Sequence, residues 1–561
     1  MTNLHPPADP RLRRVFFVLA LLYLLPFWIV PYLPTTDGPC HTYNAWILRQ
    51  HGNTAQYPLF QQYYEINWRP FPNWISQGTM ALLMFVVPPL IAEKLLVSAT
   101  VLLFLGGAWY LAGAVRPGER WPAFLAFPFA YHQLFQDGFY NFSVSLALFL
   151  FILGFWWRHR ARPGLAFAVK INLLLWLCYF SHILSFMLAL AAVGVLWLAT
   201  LRRESWRRHL LHVPVLLPQV VLPLWFFREQ GGGYVPAGTP FVRLLQYFSR
   251  LEVLATFSPA QVWGTTALAI LFLLFLLLTL YGKGRRRRWV EEADVFLFLA
   301  LAYVVLFLLS PEGMSGGGLI KQRLALYPYL LLIPWFAPRF GGGTRKFFTA
   351  LLAAAALAHL GIVLYWYRVS GGEMERYLSA LAAVRPNTRI LALHYQRSWP
   401  TDALSHAIGY RALEKGLIDW DNYEAKVSFF PTHFRKTAYP VLPGGVLAPD
   451  SFRPKLSRDL VDAVYTWRMP PEAPLRGRLR KRFAIVSEGF GGELWELRQA
   501  GVESRHGKGK GERRRADRLG ERRQPRDRPR GLPAARGAGF HGDAGKPGPG
   551  EGRGRRPESG G

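Results

Sequence analysis

The stretch Pro34-Thr-Thr-Asp37-Gly-Pro-Cys-His41-Thr-Tyr-Asn44-Ala follows directly on a long apolar run, Val15 to Val30. An acid, an imidazole and an amide therefore stand where a membrane-spanning helix would leave the bilayer. Asp37 and His41 are four residues apart, so a helical segment would place both on one face. Pro39 suits the first turn of that helix. The stretch predicts a polar site at one side of the membrane, served by the rest of the chain.

Two kinds of role for Asp37 stay open. Its side chain can cap the helix that runs from Pro39 to Gln50. A carboxylate at this place can equally take a proton from an attacking hydroxyl, orient an acceptor, or hold a divalent metal ion through oxygen. We expect His41 and Asn44 to face the same pocket.

The composition predicts a mainly α, polytopic transmembrane helical bundle. Of the 561 residues, 51% are hydrophobic, and the apolar runs are too many and too long for the core of a soluble protein. About eleven spans are predicted, N-terminus in and C-terminus out. They cover about 15–33, 75–91, 95–115, 139–157, 165–181, 183–200, 210–227, 261–281, 294–310, 324–338 and 347–367.

The net charge of +31 is concentrated in short loops and in the tail. Arginine clusters at 158–162, 202–208 and 285–288 alternate with the apolar runs, which is the positive-inside pattern. The sequence therefore predicts an integral protein of the cytoplasmic (inner) membrane that contacts membrane lipid, and no nucleic-acid partner is expected. The Gly-, Pro- and Arg-rich tail, 501–561, is predicted to be disordered.

Two segments decide the orientation of the early spans. Glu93 and Lys94 are predicted to form a tight inner turn after the span 75–91. The segment 121–136 is apolar but short and contains Pro122 and Pro128. It is predicted to be re-entrant or interfacial on the outer side, since a full crossing would place every later basic loop outside.

Two further regions, which precede the tail, follow from these patterns. Residues 1–370 form the transmembrane part, with external loops 34–74, 228–260 and 311–323, and residues 371–500 form a small external α/β domain. Within the latter, 389–394 predicts a strand, and two apolar segments around Gly489 to Gly492 predict a hairpin. Aromatic residues of the loop 34–74 are predicted to lie mainly at the membrane interface.

Further polar residues fall at the predicted outer ends of spans, where such groups are functional candidates. Asp137 is either a second acid or the N-cap of the next helix, and His182 is either a structural hydrogen-bonding residue or a general acid/base. Arg323 suits a phosphate group, whereas Lys321 can equally reach lipid headgroups. Glu65 and Arg69 lie among aromatic residues that suit sugar stacking or an interfacial belt. The other substrate-binding candidates are Gln136 and Asn141.

A first span, an outer loop that opens with an acid, many further spans and an external C-terminal domain resemble the GT-C glycosyltransferases. The resemblance covers roughly residues 10–500, and Asp37 occupies the position of that superfamily's catalytic carboxylate. It implies transfer of a hexosyl or pentosyl group from a polyprenyl-phosphate-linked donor to an unidentified acceptor at the outer face. Asp37 and His41 would be catalytic, and Arg323 would hold the donor phosphate. The chain departs from the paired acids of many members, because Gly38 follows Asp37; metal use therefore stays open.

Two rival functions use the same architecture. A transporter or flippase would place ionisable groups on broken helices near the bilayer midplane and would have a polar path to both faces. A non-catalytic protein of envelope assembly would bury Asp37 in packed protein. The position of Asp37 relative to Arg323 separates these hypotheses, because a transferase needs both at one pocket of the size of a phosphosugar, about 300–1,000 Å³.

Overall fold

The computed structural model describes residues 9–201, 206–231, 233–338, 340–396, 402–436, 449–454 and 459–498. The described residues, from 9 to 498, form one compact unit. The segment predicted to be a disordered tail, 501–561, lies outside the described residues, as does most of the basic loop 202–208.

The described residues are mainly helical. The helices are α1 Pro10–Leu22, α2 Leu25–Trp28, α3 Gly38–Gln50, α4 Pro58–Tyr63, α5 Ile75–Leu83, α6 Pro89–Val115, α7 Gln133–Gln136, α8 Tyr140–His159, α9 Leu165–Ser181, α10 Ile183–Ala199, α11 Trp206–Leu210, α12 His212–Leu216, α13 Val221–Gln230, α14 Phe241–Ser249, α15 Gln261–Arg285, α16 Asp294–Leu309, α17 Ile320–Leu324, α18 Leu326–Trp335, α19 Gly342–Ser379, α20 Ile408–Lys415 and α21 Pro474–Arg480.

Short strands and 3₁₀ turns supplement the helices. The strands are β1 Tyr64–Ile66, β2 Tyr234–Val235, β3 Gly313–Met314, β4 Arg389–His394, β5 Ile418–Asp419, β6 Thr432–Phe434, β7 Ala463–Trp467, β8 Phe483–Gly489 and β9 Gly492–Leu497. The 3₁₀ segments are Trp121–Tyr131, Leu217–Val220, Glu252–Leu254, Glu424–Lys426 and Pro449–Ser451.

Among the helices of the described residues, four are long and apolar enough to cross a membrane, namely α6, α8, α15 and α19, and α9, α10 and α16 are shorter apolar helices. The 27 residues of α6 extend about 40 Å at 1.5 Å per residue, which exceeds the thickness of a hydrocarbon core. The predicted span 210–227 is divided among α11, α12, a 3₁₀ turn and α13. The total of about eleven spans stays a prediction.

The two ends of this bundle differ in charge. At one end, which we call the basic end, Arg116 pairs with Glu291 at 2.9 Å and Arg160 pairs with Glu292 at 2.9 Å. At the other end, the backbone N–H of Asp37 donates to the carbonyl oxygen of Asp137 at 3.0 Å. Plain basic clusters and candidate site residues therefore occupy opposite ends, as the loop pattern predicts.

The predicted span 75–91 and the inner turn at Glu93 and Lys94 are both wrong. Helix α5 ends after nine residues, which cover only about 14 Å, and Glu93 lies in the first turns of α6. The carboxylate of Glu93 accepts hydrogen bonds from Tyr140 and Tyr410, which places it at the end that holds Asp37. The hydropathy of 75–91 misled the prediction, because this apolar segment turns back instead of crossing.

The segment 121–136 is also not a re-entrant outer loop. It starts beside Arg120 at the basic end and ends where the carbonyl oxygen of Gln136 accepts the N–H of Thr36 at 3.1 Å. Its eleven-residue 3₁₀ helix rises about 22 Å, because this helix gains about 2 Å per residue. Nearly all of its side chains are buried. The segment therefore runs from the basic end of the bundle to the end that holds Asp37.

The predicted strand 389–394 and hairpin belong to a five-stranded sheet with the order β5-β4-β7-β9-β8. Strands β4, β5 and β7 are parallel, and β7-β9 and β8-β9 are antiparallel. Helix α19 continues past residue 370 and contributes Met374 and Tyr377 to the core behind this sheet.

The aromatic residues of the loop 34–74 are used differently from the prediction. Tyr57, Phe60 and Tyr64 are buried in the core of the sheet region, and β1 pairs with β6. Trp68, by contrast, is 77% exposed. Protein, rather than a membrane interface, therefore covers Tyr57, Phe60 and Tyr64.

Candidate active site

The carboxylate of Asp37 is directed away from the helix that follows it. Asp37 precedes α3, but its side chain makes no capping hydrogen bond. Instead, the hydroxyl of Tyr423 donates to Oδ2 at 2.6 Å, and Nε2 of His406 lies 3.7 Å from Oδ1. The capping role predicted as one alternative is therefore wrong, and the carboxylate is available to a ligand.

Gly138 fixes the backbone position of Asp37. Its φ is +86°, and a Cβ there would lie 2.6 Å from the backbone nitrogens of both Asp37 and Gly38. Only glycine adopts this conformation without strain and leaves room for such a close approach. The turn before α8 thus packs directly against the start of α3.

Substitution Gly138→Ala is expected to lower stability by about 1–3 kcal/mol, because it adds left-handed strain and a backbone clash. It should lower activity as well, since the clash displaces Asp37. Thermal unfolding of the detergent-purified protein measures the first effect. Gly118→Ala is the matched control, because a Cβ at Gly118 meets nothing within 4 Å. Equal stability of the two variants would contradict this account of the turn.

His406 is held between two carboxylates. Nδ1 lies 3.1 Å from Oδ2 of Asp421, and Nε2 faces Asp37. Burial by itself disfavours the imidazolium, but the negative charges of Asp421 and Asp37 outweigh it and raise the pKa of His406 to about 9. His406 is therefore cationic at neutral pH and balances the charge of Asp37.

Burial has the opposite effect on the acid itself. It raises the pKa of Asp37 above its usual value, while the His406 charge and the Tyr423 hydrogen bond counteract that rise. A carboxylate held in this way is a better proton acceptor than an ordinary surface aspartate.

His41 is fixed from below by Glu424. Its Nδ1 lies 2.7 Å from Oε1 of Glu424, whose Oε2 accepts hydrogen bonds from Asn44 at 2.8 Å and Gln77 at 2.5 Å. Burial opposes the charged imidazole, yet the Glu424 carboxylate raises the pKa of His41. Asn44 thus contributes to a buried network that joins α3, α5 and the segment 421–426, and it does not line the cavity described next.

A cavity of about 550 Å³ opens in front of Asp37. Among the described residues that line it, Asp37 is the one acid, and His41, His182, His406 and Arg323 bring nitrogen groups to it. The remaining wall is largely apolar and includes Phe139, Phe142, Ile183, Leu184, Met187, Phe226, Phe227, Met314, Ile320, Phe429 and Phe430. A polar end and an apolar wall suit a ligand that has both a charged head and a hydrocarbon chain.

Arg323 stands in this cavity without a carboxylate partner in the part of the chain that the structure describes. Its guanidinium carbon lies 5.0 Å from the ring centroid of Phe139 and 5.7 Å from that of Phe142. Its buried Nε has no hydrogen-bond partner. Burial lowers the pKa of Arg323 to about 10, so it stays cationic at neutral pH. An unpaired cation in an apolar wall favours an anionic ligand, because a buried charge is costly alone.

The loop predicted around Gly316 to Gly318 forms part of the cavity rim. Strands β2 and β3 pair and so join the two long loops 228–260 and 311–323. These two loops, predicted to be external, are therefore connected beside the cavity.

Two of the predicted residues line the cavity but are used structurally. Asn141 accepts the N–H of Ser76 at 2.8 Å and donates to the carbonyl of Asn73 at 3.1 Å. His182 caps α10, because its Nδ1 accepts the N–H of Leu184 at 3.2 Å. The structure thus shows the hydrogen-bonding alternative for His182, and its ring edge meets Phe142.

The other predicted residues lie away from the cavity. Asp137 is not the N-cap of α8, a position that Phe139 holds, and Gln136 accepts the hydroxyl of Tyr367 at 3.2 Å. Lys321 donates to the carbonyls of Phe307 and Leu308, both at 3.2 Å. Glu65 is exposed in β1, and Arg69 pairs with Glu229 at 3.3 Å.

The predicted site residues did not include His406, Tyr423, Glu424 or Glu93. The first three lie nearly four hundred residues after Asp37, in a region predicted only as an α/β domain. The run Asp419-Trp-Asp421-Asn422-Tyr-Glu424 was the available signal, because it is the densest group of acids in that region. Glu93 was assigned to a tight inner turn, on the side of the membrane opposite the predicted site, which removed it from consideration.

Comparison with known proteins gives matches at the level of structure alone. No protein-family model matches the chain, and no curated protein matches it. The crystal structure of ArnT from Cupriavidus metallidurans bound to undecaprenyl phosphate matches 86% of this chain and 97% of its own, with a TM-score of 0.48 and 11% identity.

A cryo-EM structure of the arabinofuranosyltransferase AftD from Mycobacteria matches 88% of this chain and 42% of its own, with a TM-score of 0.45 and 14% identity. At these identities and scores the assignment of function rests on the geometry of the site.

Proposed function

We propose that the chain is a membrane glycosyltransferase of the GT-C type, which moves a sugar from a polyprenyl-phosphate-linked donor to an acceptor at the outer face of the membrane. One observation supports this most strongly. A single cavity, about 550 Å³ in volume, joins the Asp37 carboxylate, the unpaired Arg323 cation and an apolar wall. A lipid-phosphate sugar presents the matching features, namely a polar sugar, a phosphate and a hydrocarbon chain.

In this proposal Asp37 receives the proton of the attacking acceptor hydroxyl. Tyr423 and His406 hold the carboxylate in place and stabilise its negative charge before the reaction. The acceptor oxygen then forms a bond to the anomeric carbon as the bond to the phosphate oxygen breaks. The polyprenyl phosphate leaves with the bonding electrons, and Arg323 stabilises its charge with a guanidinium fork that fits phosphate oxygens.

The described residues include no group of three or more His, Cys, Asp or Glu side chains placed to hold a metal ion. They do not fit a preformed metal site made entirely of protein ligands, and no step proposed here uses one.

The transfer assay tests the proposal against its rivals. Purified protein in nanodiscs receives polyprenyl-phosphate-linked radiolabelled sugars together with envelope extract as the source of acceptor. We expect the label to leave the lipid, in an acceptor-dependent way. A flippase would move the intact lipid between leaflets of a vesicle, and a scaffold would do neither; either result would overturn the proposal.

No feature that singles out transport is found in the part of the chain that the structure describes. Among described residues, the cavity at Asp37 and the large cavity at the basic end have no lining residue in common. Asp37 lines a cavity instead of packed protein, which is not the arrangement expected of a scaffold.

Activity should depend on the charge of His406. Because the pKa of His406 is raised to about 9, its stabilising interaction with Asp421 and Asp37 is complete below about pH 6.5 and is lost as the pH rises through about 9. We expect the rate of transfer to fall along an alkaline limb centred near pH 9. His406→Gln should lower the neutral plateau and remove that limb. If the His406→Gln variant still shows the alkaline fall in rate with an unchanged midpoint, a group other than His406 causes that fall.

A further inference from the structure

The basic end of the bundle contains a second cavity of about 660 Å³. It lies between the C-terminal ends of α6 and α8 and the loop that leads to α16. Five arginines line it, Arg116, Arg120, Arg158, Arg160 and Arg288. Against them stand two acids, Glu291 and Glu292, so positive charge is in clear excess.

Each of the two acids already forms an ion pair with one of the arginines. Glu291 pairs with Arg116 and Glu292 with Arg160, both at 2.9 Å. Glu291 also lies 3.6 Å from Nζ of Lys283. Within the described part of the chain, Arg120, Arg158 and Arg288 make no ion pair with a carboxylate. Three guanidinium groups therefore face one cavity without an anion to balance them.

Arg120 is the most constrained of the three. Its Nε would lie 2.4 Å from a Cβ at Gly113, so the missing side chain of Gly113 makes room for it. Its guanidinium carbon lies 5.5 Å from the ring centroid of Trp109. Burial, and then the like charges of Arg158 and Arg13, lower the pKa of Arg120. The fold thus holds like charges close together, at a cost that a bound anion would relieve.

A simpler explanation accounts for only part of this arrangement. Basic residues at helix C-termini interact favourably with the helix dipole, and positive loops orient membrane proteins. Both effects operate for exposed side chains that point in different directions. They do not require several arginines to converge on one walled cavity.

The rim of the cavity is apolar as well as cationic. The guanidinium carbon of Arg160 lies 3.9 Å from the ring centroid of Trp157, which also lines the cavity. Val290 lines it and is 87% exposed, and its neighbour Trp289 is 64% exposed. Trp side chains are typical of the membrane–water interface, so this cavity opens at headgroup level.

We propose that this cavity binds a phosphate group, supplied either by an anionic phospholipid headgroup or by a soluble phosphate. Its ligand would be held by guanidinium–phosphate hydrogen bonds from Arg120, Arg158 and Arg288. Basic pockets between membrane helices on the cytoplasmic side are suited to lipid headgroups, and the exposed side chains of Trp289 and Val290 would meet the acyl chains. This site lies at the opposite end from Asp37, so its existence does not depend on the proposed transferase activity.

Lipid binding by the full chain tests the proposal. The protein is placed in phosphatidylcholine nanodiscs with increasing phosphatidylglycerol, and bound lipid is counted by native mass spectrometry. In a second arm, inorganic phosphate is titrated by calorimetry. We expect the wild-type protein to bind phosphatidylglycerol, inorganic phosphate or both. The double variant Arg120→Gln/Arg158→Gln should weaken that binding by at least about tenfold, because it removes two charge-assisted contacts.

The matched control is Arg162→Gln/Arg285→Gln, which removes two exposed arginines of the same end that do not line the cavity. It should leave binding unchanged. Arg288→Gln, at an exposed loop position, supplies a second test if replacement of the half-buried Arg120 prevents folding, and it should weaken binding in part. Binding in neither arm, or an equal loss in the control, would overturn the proposal. If the double variant loses only phosphatidylglycerol binding, the cavity is a lipid site. If it loses binding of inorganic phosphate, the ligand is a soluble phosphate.

Discussion

Asp37→Asn is expected to lower the turnover number for sugar transfer by about 10²- to 10⁴-fold, the range that general acid–base catalysis contributes. The amide keeps the size of the carboxylate but cannot accept the proton of the acceptor hydroxyl. The KM for the donor should change little, since Arg323 and the apolar wall are intact. Steady-state kinetics with a polyprenyl-phosphate-linked sugar separate the two quantities.

The control for this variant is Asp137→Asn. Asp137 is a second aspartate at the same end of the bundle, and its backbone carbonyl accepts the N–H of Asp37, but it does not line the cavity. We expect it to retain most of the activity. A large loss at Asp137 together with a small loss at Asp37 would reverse the assignment of the proton acceptor.

Arg323→Gln is expected to raise the KM for the lipid-linked donor by about 10- to 100-fold, because a hydrogen bond to a charged group contributes about 1.5–3 kcal/mol. The guanidinium has no other anionic partner in the described chain, so its removal should act on the donor phosphate. Arg323→Lys should restore only part of the affinity, since an ammonium retains the charge but lacks the planar fork.

Lys321→Gln separates this effect from a general loss of positive charge. Lys321 is two residues away and is buried, but it donates to the carbonyls of Phe307 and Leu308 and does not line the cavity. Its replacement should reduce stability and leave the donor KM unchanged. An equal rise in KM in both variants would show that the local charge, and not the Arg323 contact, determines donor binding.

The sequence predicted those parts of the fold that depend on local patterns. Long apolar runs predicted the helices α6, α8, α15 and α19, and β-propensity predicted β4 and the β8–β9 hairpin. It failed at 75–91, where an apolar segment turns back after a short helix, and at 121–136, where a proline-containing segment runs from one end of the bundle to the other. In both cases tertiary packing decides the path, and hydropathy alone does not report it.

The residues of the candidate site could likewise be predicted only in part. Asp37, His41 and Arg323 could be chosen from the sequence, because ionisable groups at the ends of apolar runs are unusual. The side chains that position Asp37 could not. His406, Tyr423 and Glu424 reach the cavity because the region after α19 folds back onto α3, a long-range contact without a local signal. Lys321 and Asp137 had the same sequence signals as Arg323 and Asp37, yet their side chains point elsewhere.

In the proposed mechanism, Asp37 and Arg323 act on the same bound donor molecule. A structure of the protein with a bound polyprenyl phosphate tests it most directly. We predict that the phosphate lies within hydrogen-bond distance of the Arg323 guanidinium, that the lipid chain follows the Phe226 side of the cavity, and that the space next to Asp37 stays open for a sugar. A phosphate bound elsewhere, with Arg323 and Asp37 both unoccupied, would contradict the claim.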